Sequence, residues 1–324
     1  MAIDQKMINE FYAMPKLAFG CIDKEGSTPA DARQKFIKAL EDRCVADPTH
    51  TIGPRLIDQV STNMCGPASF MYCVAREYPD EYAKYVLSLA MHGKGSIGSL
   101  TVSPPNAATV EIGGDIAPVD WVALASIRDD KTLSRMTSAK TGIGGMTFPG
   151  PLTDWFNKTG LFKATNETSP VPKALFTSGS GSLDEPTTSL NDLLKINNSP
   201  ADYVCLLVRA RIFKAATSMA LGNPDHWVVM TDNTNNNRIK ITTQSGQTLM
   251  PIPLGTEVVM TYPGDFLRVD ENIRKERERL EAGTLNFRVY TWGDIVDINA
   301  SHGGRLTVKR LLADYFGFVR VNKI

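Results

Sequence analysis

The hydrophobic positions of this chain change period along its length. Over residues 30–43 (ADARQKFIKALEDR), Phe36, Ile37 and Leu40 recur at helical spacing, and Pro48 and Pro54 punctuate the end. Residues 1–54 are therefore expected to form an N-terminal helical extension. A second helix is predicted from Cys65 to about Glu77, broken by Pro79-Asp80. A third follows it, carrying Tyr82, Tyr85, Val86 and Leu89. Residues 119–127 read as a short buried helix, and 149–161 as one stopped by Gly160. Residues 95–118 and 177–189 are rich in Gly, Ser and Pro or Thr, and read as loops.

The last third alternates differently. Segments 203–213, 227–231, 238–243, 257–262 and 286–292 are β-branched or aromatic and bounded by turn residues, so strands are predicted there. TDNTNNN (231–237) is a strong turn signal between two of them. ENIRKERERLE (271–281) reads as a charged helix, solvated or used as a partner-binding arm. Helices first, then mainly antiparallel strands, predicts an α+β fold rather than alternating βαβ units.

Composition narrows the classes of function. The chain has 324 residues, 42% of them hydrophobic and 22% charged, which suits a globular protein of one large domain or two ordinary ones. Its 35 basic and 35 acidic residues cancel, so no net field steers it to nucleic acid or to an acidic membrane. No apolar run approaches the length that spans a bilayer. The opening MAIDQKMINEFYAMPKLAFGC lacks a continuous apolar h-region, so synthesis in the cytoplasm without a cleaved signal is expected. The five cysteines form no C-x-x-C pair, which argues against a zinc site and a disulfide framework. GIGG (142–145) lacks the frame of a nucleotide loop, and no cofactor is expected. The acids at the ends of DWVALASIRDD (120–130) read as helix caps and solvated charges rather than an acid/base pair.

The informative segment is QVSTNMCGPASFMYCVARE (59–77). Cys65 precedes Gly66-Pro67 and an apolar run, so it stands at a helix N-terminus. There the helix dipole favours thiolate, the attacking form. Gln59, six residues upstream, supplies an amide donor for a tetrahedral oxyanion. Cys73 lies in the body of the helix and reads as core. A Gln, five residues, then Cys-Gly opening an apolar helix resembles the nucleophile signature of papain-like cysteine peptidases. The CGPAS form looks closest to the peptidase C39-like branch.

That resemblance implies a papain-like domain over 55–324 and a histidine base at the start of a central strand. His226 opens the apolar segment HWVVM after Gly222-Asn223-Pro224-Asp225, in the Cys-before-His order of the family. His50, His92 and His302 sit in loop or helix-end contexts. The third residue stays open. Asp232 is disfavoured, because six residues of extended strand would put it ~20 Å from His226. Gln244 is placed opposite by a hairpin estimate. Asp294 is the alternative, in the segment Tyr290-Thr291-Trp292-Gly293-Asp294, which resembles the Asn-Ser-Trp-Gly stretch of papain with Tyr290 in the place of Asn. Trp292 reads equally as a shield for the histidine's hydrogen bond or as core.

The resemblance implies acyl transfer on a protein or peptide amide, with loops 95–150 and 177–200 as the walls of a cleft. A chain without a signal and with CGPAS and YTWG segments also resembles bacterial effector toxins exported into target cells, which implies an immunity or delivery partner. The rival expectations are a transglutaminase, deamidase or acyltransferase on the same Cys-His site, and a non-catalytic binding module with a degenerate site.

Overall fold

The computed structural model describes residues 3–46, 52–60, 62–107, 116–131, 147–167, 195–196, 201–213, 226–231, 240–242, 248–249, 275 and 278–324. The fold is mixed α+β, with N-terminal helices and an antiparallel sheet. The chain divides into two units: Met1–Asn166 with Tyr290–Ile295 and Val321–Ile324, and Glu167–Val289 with Val296–Arg320.

The first unit is mainly helical. Its helices are α1 (Gln5–Ala13), α2 (Pro29–Cys44), α3 (Cys65–Glu77), α4 (Pro79–His92), α5 (Pro118–Lys131) and α6 (Pro149–Thr159). Their ends follow local chemistry. The Thr28 side chain accepts from Asp31 N–H, and Pro29 occupies the first turn of α2. Pro79 opens α4, and Gly93 and Gly160 close α4 and α6 in the left-handed conformation. Residues 65–75 of α3 are all buried, because α2, α4, α5 and α6 pack around it. A helix buried on every side needs apolar residues on every side, and FMYCVA meets that need.

Three expectations for this unit change in detail. The predicted loop at 95–118 contains a hairpin, β1 (Gly95–Ile97) and β2 (Leu100–Val102), turning at Gly98 with φ of 50°. Its strands are too short to show a period, and α4 supports them through Glu81, which accepts from Gly98 N–H. The helix expected at 119–127 extends over Pro118–Lys131. Its acids are not solvated caps. Asp120 is buried in an ion pair with Arg43, and Asp129 is buried and accepts from the N–H groups of Asn106 and Ala107. β3 (Phe162–Asn166) completes the unit's early segments.

The second unit carries the sheet. β4 (Tyr203–Val208) and β5 (His226–Met230) pair antiparallel, in a register that sets Val208 opposite His226. Both strands are buried on both faces, which explains their unbroken apolar runs. β6 (Lys240–Thr242), β7 (Thr248–Leu249) and β8 (Thr284–Asn286) form a second antiparallel sheet in the order β7-β6-β8. β9 (Arg288–Thr291) and β10 (Asp294–Asp297) follow, then α7 (Val308–Asp314) and β11 (Tyr315–Lys323). Val204, Leu206, Val228, Met230, Leu311 and Phe318 lie in its core.

Two strand predictions are corrected here. The strand expected over 203–213 ends at Val208, and Ala210–Phe213 turns into a 3₁₀ segment. The strand expected over 286–292 is two strands broken at Phe287, with β8 joining the smaller sheet. The turn at 231–237 (beyond Thr231), the loop at 177–189, the strand at 257–262, His50, the GIGG segment, and most of the charged helix at 271–281 lie outside the described residues. Among the described residues no helix is long and apolar enough to cross a membrane.

Candidate active site

Cys65 is the first residue of α3, and Met64 caps the helix without a side-chain hydrogen bond. Cys65 thus stands in the opening turn, whose N–H groups lack intrahelical partners. Cys65 itself is 4% exposed. The requirement for glycine at position 66 has a steric cause. A Cβ there would fall 2.4 Å from the Cβ and Oγ1 of Thr147. Gly66→Ala is therefore expected to cost about 1–3 kcal/mol by overpacking. Urea unfolding measures it, and a loss below about 0.5 kcal/mol would mean that Thr147 moves aside freely.

Gln59 lies in a short connection upstream of α3 that is fastened on several sides. The Asp58 N–H donates to Asp120, and the Val60 N–H donates to the Asp58 carboxylate at 2.7 Å. Gln59 O accepts from both the N–H and the hydroxyl of Thr62. Val60 has φ of 51°. A β-branched residue seldom adopts that conformation, and such strain persists only where the surroundings impose it. The Gln59 side chain is 3% exposed, and its Oε1 has no hydrogen-bond partner among the described residues. Buried side-chain amides are almost always satisfied, and the atom left over here is the acceptor oxygen, not the NH2.

The 290–294 segment joins the same unit. Tyr290 stacks on Tyr72 of α3, with ring centroids 4.0 Å apart and planes 11° off parallel. Its hydroxyl donates to the Ile57 carbonyl. Trp292 and Gly293 form a two-residue turn between β9 and β10, with φ of 44° and 71°. Both values are positive, which matches the twist of a tight hairpin. Gly293 packs on Asp58 so closely that a Cβ would lie 2.8 Å from the Asp58 Cβ. Three segments singled out in the sequence, 59–60, 65–77 and 290–294, thus meet in the first unit. Trp292 is 36% exposed at the tip of this turn and is not a core residue.

Arg128 was not singled out from the sequence. It is fully buried on α5, the helix that packs on α3. Burial lowers its pKa, against the charges of Cys65 and then Asp129, which raise it. The signal was present. Trp121, Leu124 and Arg128 fall at i, i+3 and i+7, which puts a guanidinium on an apolar stripe.

His226 belongs to the second unit, as the first residue of β5. It is 3% exposed and meets Phe213 edge-on, with centroids 5.9 Å apart. Burial lowers its pKa to about 3. The imidazole is neutral at pH 7 and so keeps one acceptor nitrogen. Asp294 lies in the first unit, ion-paired with Arg55 at 3.2 Å and half-exposed. Gln244 and Asp232 lie outside the described residues. His92 reaches Glu10 at 3.5 Å, and His302 Nε2 bonds the Ile212 carbonyl. Among the described residues no three His, Cys, Asp or Glu side chains are placed to hold a metal ion.

No family model, no curated protein and no solved structure matches this chain.

Proposed function

We propose that this protein is a cysteine hydrolase of papain-like fold, with Cys65 as nucleophile, His226 as base and Gln59 as oxyanion donor. The observation that carries the reading is the pairing of two features in the first unit. Cys65 heads a buried helix, and the segment before it carries the buried Gln59 amide, whose NH2 is the end that can donate to an oxyanion. The strained backbone at Val60 beside it persists only because the surroundings impose it.

The reaction follows from these groups. His226 takes the proton of the Cys65 thiol, and the thiolate adds to the carbonyl carbon of a peptide amide. Gln59 and the Cys65 N–H donate to the resulting oxyanion. The C–N bond breaks as the imidazolium returns its proton to the leaving amine. Water then adds to the thioester, releasing a carboxylic acid and the free thiol. We further propose a bacterial effector toxin exported into a target cell, with a protein or peptide substrate and an immunity or delivery partner.

The test is growth of a bacterium expressing wild type or Cys65→Ala, in the cytosol and in the periplasm. Wild type is expected to arrest growth in one compartment and Cys65→Ala in neither, and equal arrest by both would sink the proposal. Alkylation supplies a second readout. All five cysteines are free thiols. Burial pushes the Cys21 thiol up to about 11 and the Cys44 thiol up to about 12, so both stay protonated and slow at pH 7. Cys65 is expected to react with iodoacetamide at least tenfold faster than either, the difference that one pKa unit makes.

A further inference from the structure

An oxyanion donor works only where it is held, because a misplacement of ~1 Å costs about 10²-fold in rate. The backbone of Gln59 is fixed from both sides. On one side, Oδ1 of Asp58 accepts from the Val60 N–H at 2.7 Å. The ring closed by this bond encloses Gln59, so Asp58 sets the backbone of the residue that follows it. On the other side, the Gln59 carbonyl accepts from the Thr62 N–H at 3.0 Å and from its hydroxyl at 2.6 Å. Asp58 is held in turn. Its N–H donates to Asp120 at 3.2 Å. The turn at Trp292-Gly293 lies against its side chain, so that a Cβ on Gly293 would fall 2.8 Å from Asp58 Cβ, 2.9 Å from Cγ and 3.1 Å from Oδ2. Val60 and Trp292 are the two non-glycine residues with positive φ among the described residues. Val60 bonds the Asp58 carboxylate, and Trp292 precedes the glycine that abuts it. One side chain thus supports both strained turns. Strain of this kind persists only where the surroundings over-determine it, and it clusters at functional sites.

We propose that Asp58 is a positioning residue for the oxyanion donor. By accepting from the Val60 N–H it fixes the Gln59 backbone and, through it, the amide that donates to the oxyanion formed at Cys65. This inference rests on the reading of Cys65 as nucleophile and Gln59 as donor. Asp58 itself moves no proton and touches no substrate. Gly293 is the other half of the device. Only glycine lets that turn lie on Asp58, so a side chain at 293 disturbs Gln59 by way of Asp58.

The experiment compares two reactions of Cys65, acylation by p-nitrophenyl acetate and alkylation by iodoacetamide, each followed by peptide mass spectrometry on the full-length chain. The thiolate adds to the ester carbonyl, so an oxyanion forms before p-nitrophenolate leaves and the thioester remains. Alkylation displaces iodide from a saturated carbon and forms no oxyanion. Gln59→Ala should slow acylation by about 10²-fold and leave alkylation unchanged. Asp58→Ala should show the same split, with acylation down at least about tenfold. Asp58→Asn keeps an oxygen that accepts from the Val60 N–H, and should retain most of the wild-type acylation. Gly293→Ala should mimic Asp58→Ala, because the added Cβ meets Asp58 first. A merely structural Asp58 would lose acylation and alkylation together, and that result overturns the proposal. So does wild-type acylation in Asp58→Ala beside a slow Gln59→Ala, or Asp58→Asn acylated as slowly as Asp58→Ala. If Asp58→Ala does not fold, Gly293→Ala and Asp58→Asn decide, and wild-type acylation in Gly293→Ala overturns it. Absence of any acylation at wild-type Cys65 would remove the nucleophile reading, and a Gln59→Ala variant as fast as wild type would remove the donor reading. The role of Asp58 falls with either.

Discussion

Asp120→Ala is expected to destabilise the first unit by about 3–5 kcal/mol. Asp120 and Arg43 are both buried and bonded bidentately, at 2.7 and 2.6 Å. Burial pushes the Asp120 carboxyl up, and Arg43 and the Asp58 N–H oppose that push. Burial also works against the charge of Arg43, but Asp120 outweighs it and holds the guanidinium protonated. Removing Asp120 therefore strands a buried cation, which costs far more than the pair itself contributes. The loss also reaches the candidate site. Arg43 donates to the Leu56 carbonyl at 3.0 Å, and Asp120 accepts from Asp58 N–H at 3.2 Å. Both bonds fasten the segment that carries Gln59. Urea unfolding of Asp120→Ala, Arg43→Met and the double variant measures the effect, with hydrogen exchange at residues 56–60 as the local readout. The double variant should lose less than the sum of the singles, by at least about 2 kcal/mol. Single losses below about 1 kcal/mol that simply add would refute this account.

Much of the nucleophile half was legible in the sequence, for a physical reason. Proline and glycine fix helix ends locally, so Pro79 and Gly160 announced their boundaries, and α3 was read to the residue. The Cys65 position followed, because Gly66-Pro67 opens a helix whatever packs on it. The support of that site was not legible. Arg43 and Asp120 are 77 residues apart, and nothing local marks them as partners. Asp120 at a helix start looks like a solvated charge unless its burial is known. Tyr290 shows the same limit. The sequence set it in the place of an orienting Asn, and the structure gives its hydroxyl to the Ile57 carbonyl and its ring to Tyr72. The strand end at Val208 was missed because Ala210 and Ile212 alternate with Arg209 and Arg211 as a strand would, whereas Ile212 serves the core from a 3₁₀ segment. Hydrophobic pattern reports burial, and burial alone does not choose between strand and turn.

The second large effect is acid-linked and belongs to the second unit. His226 has a folded-state pKa of about 3, against about 6.5 when unfolded. Above pH 7 the imidazole is neutral in both states and contributes no pH dependence. Below 6.5 the unfolded chain takes up a proton that the folded chain refuses, so stability falls as pH falls. The slope is about 1.4 kcal/mol per pH unit until the folded histidine also protonates near pH 3, a total of about 4–5 kcal/mol. His226→Gln removes this titration. The difference in unfolding free energy between wild type and His226→Gln, measured by urea at pH 7, 6, 5 and 4, isolates it from the carboxylates, which cancel between the two proteins. Wild type should lose ground on the variant by about 1.4 kcal/mol per unit between pH 6 and 4. A flat difference would show that the folded His226 takes up its proton over the same pH range as the unfolded one.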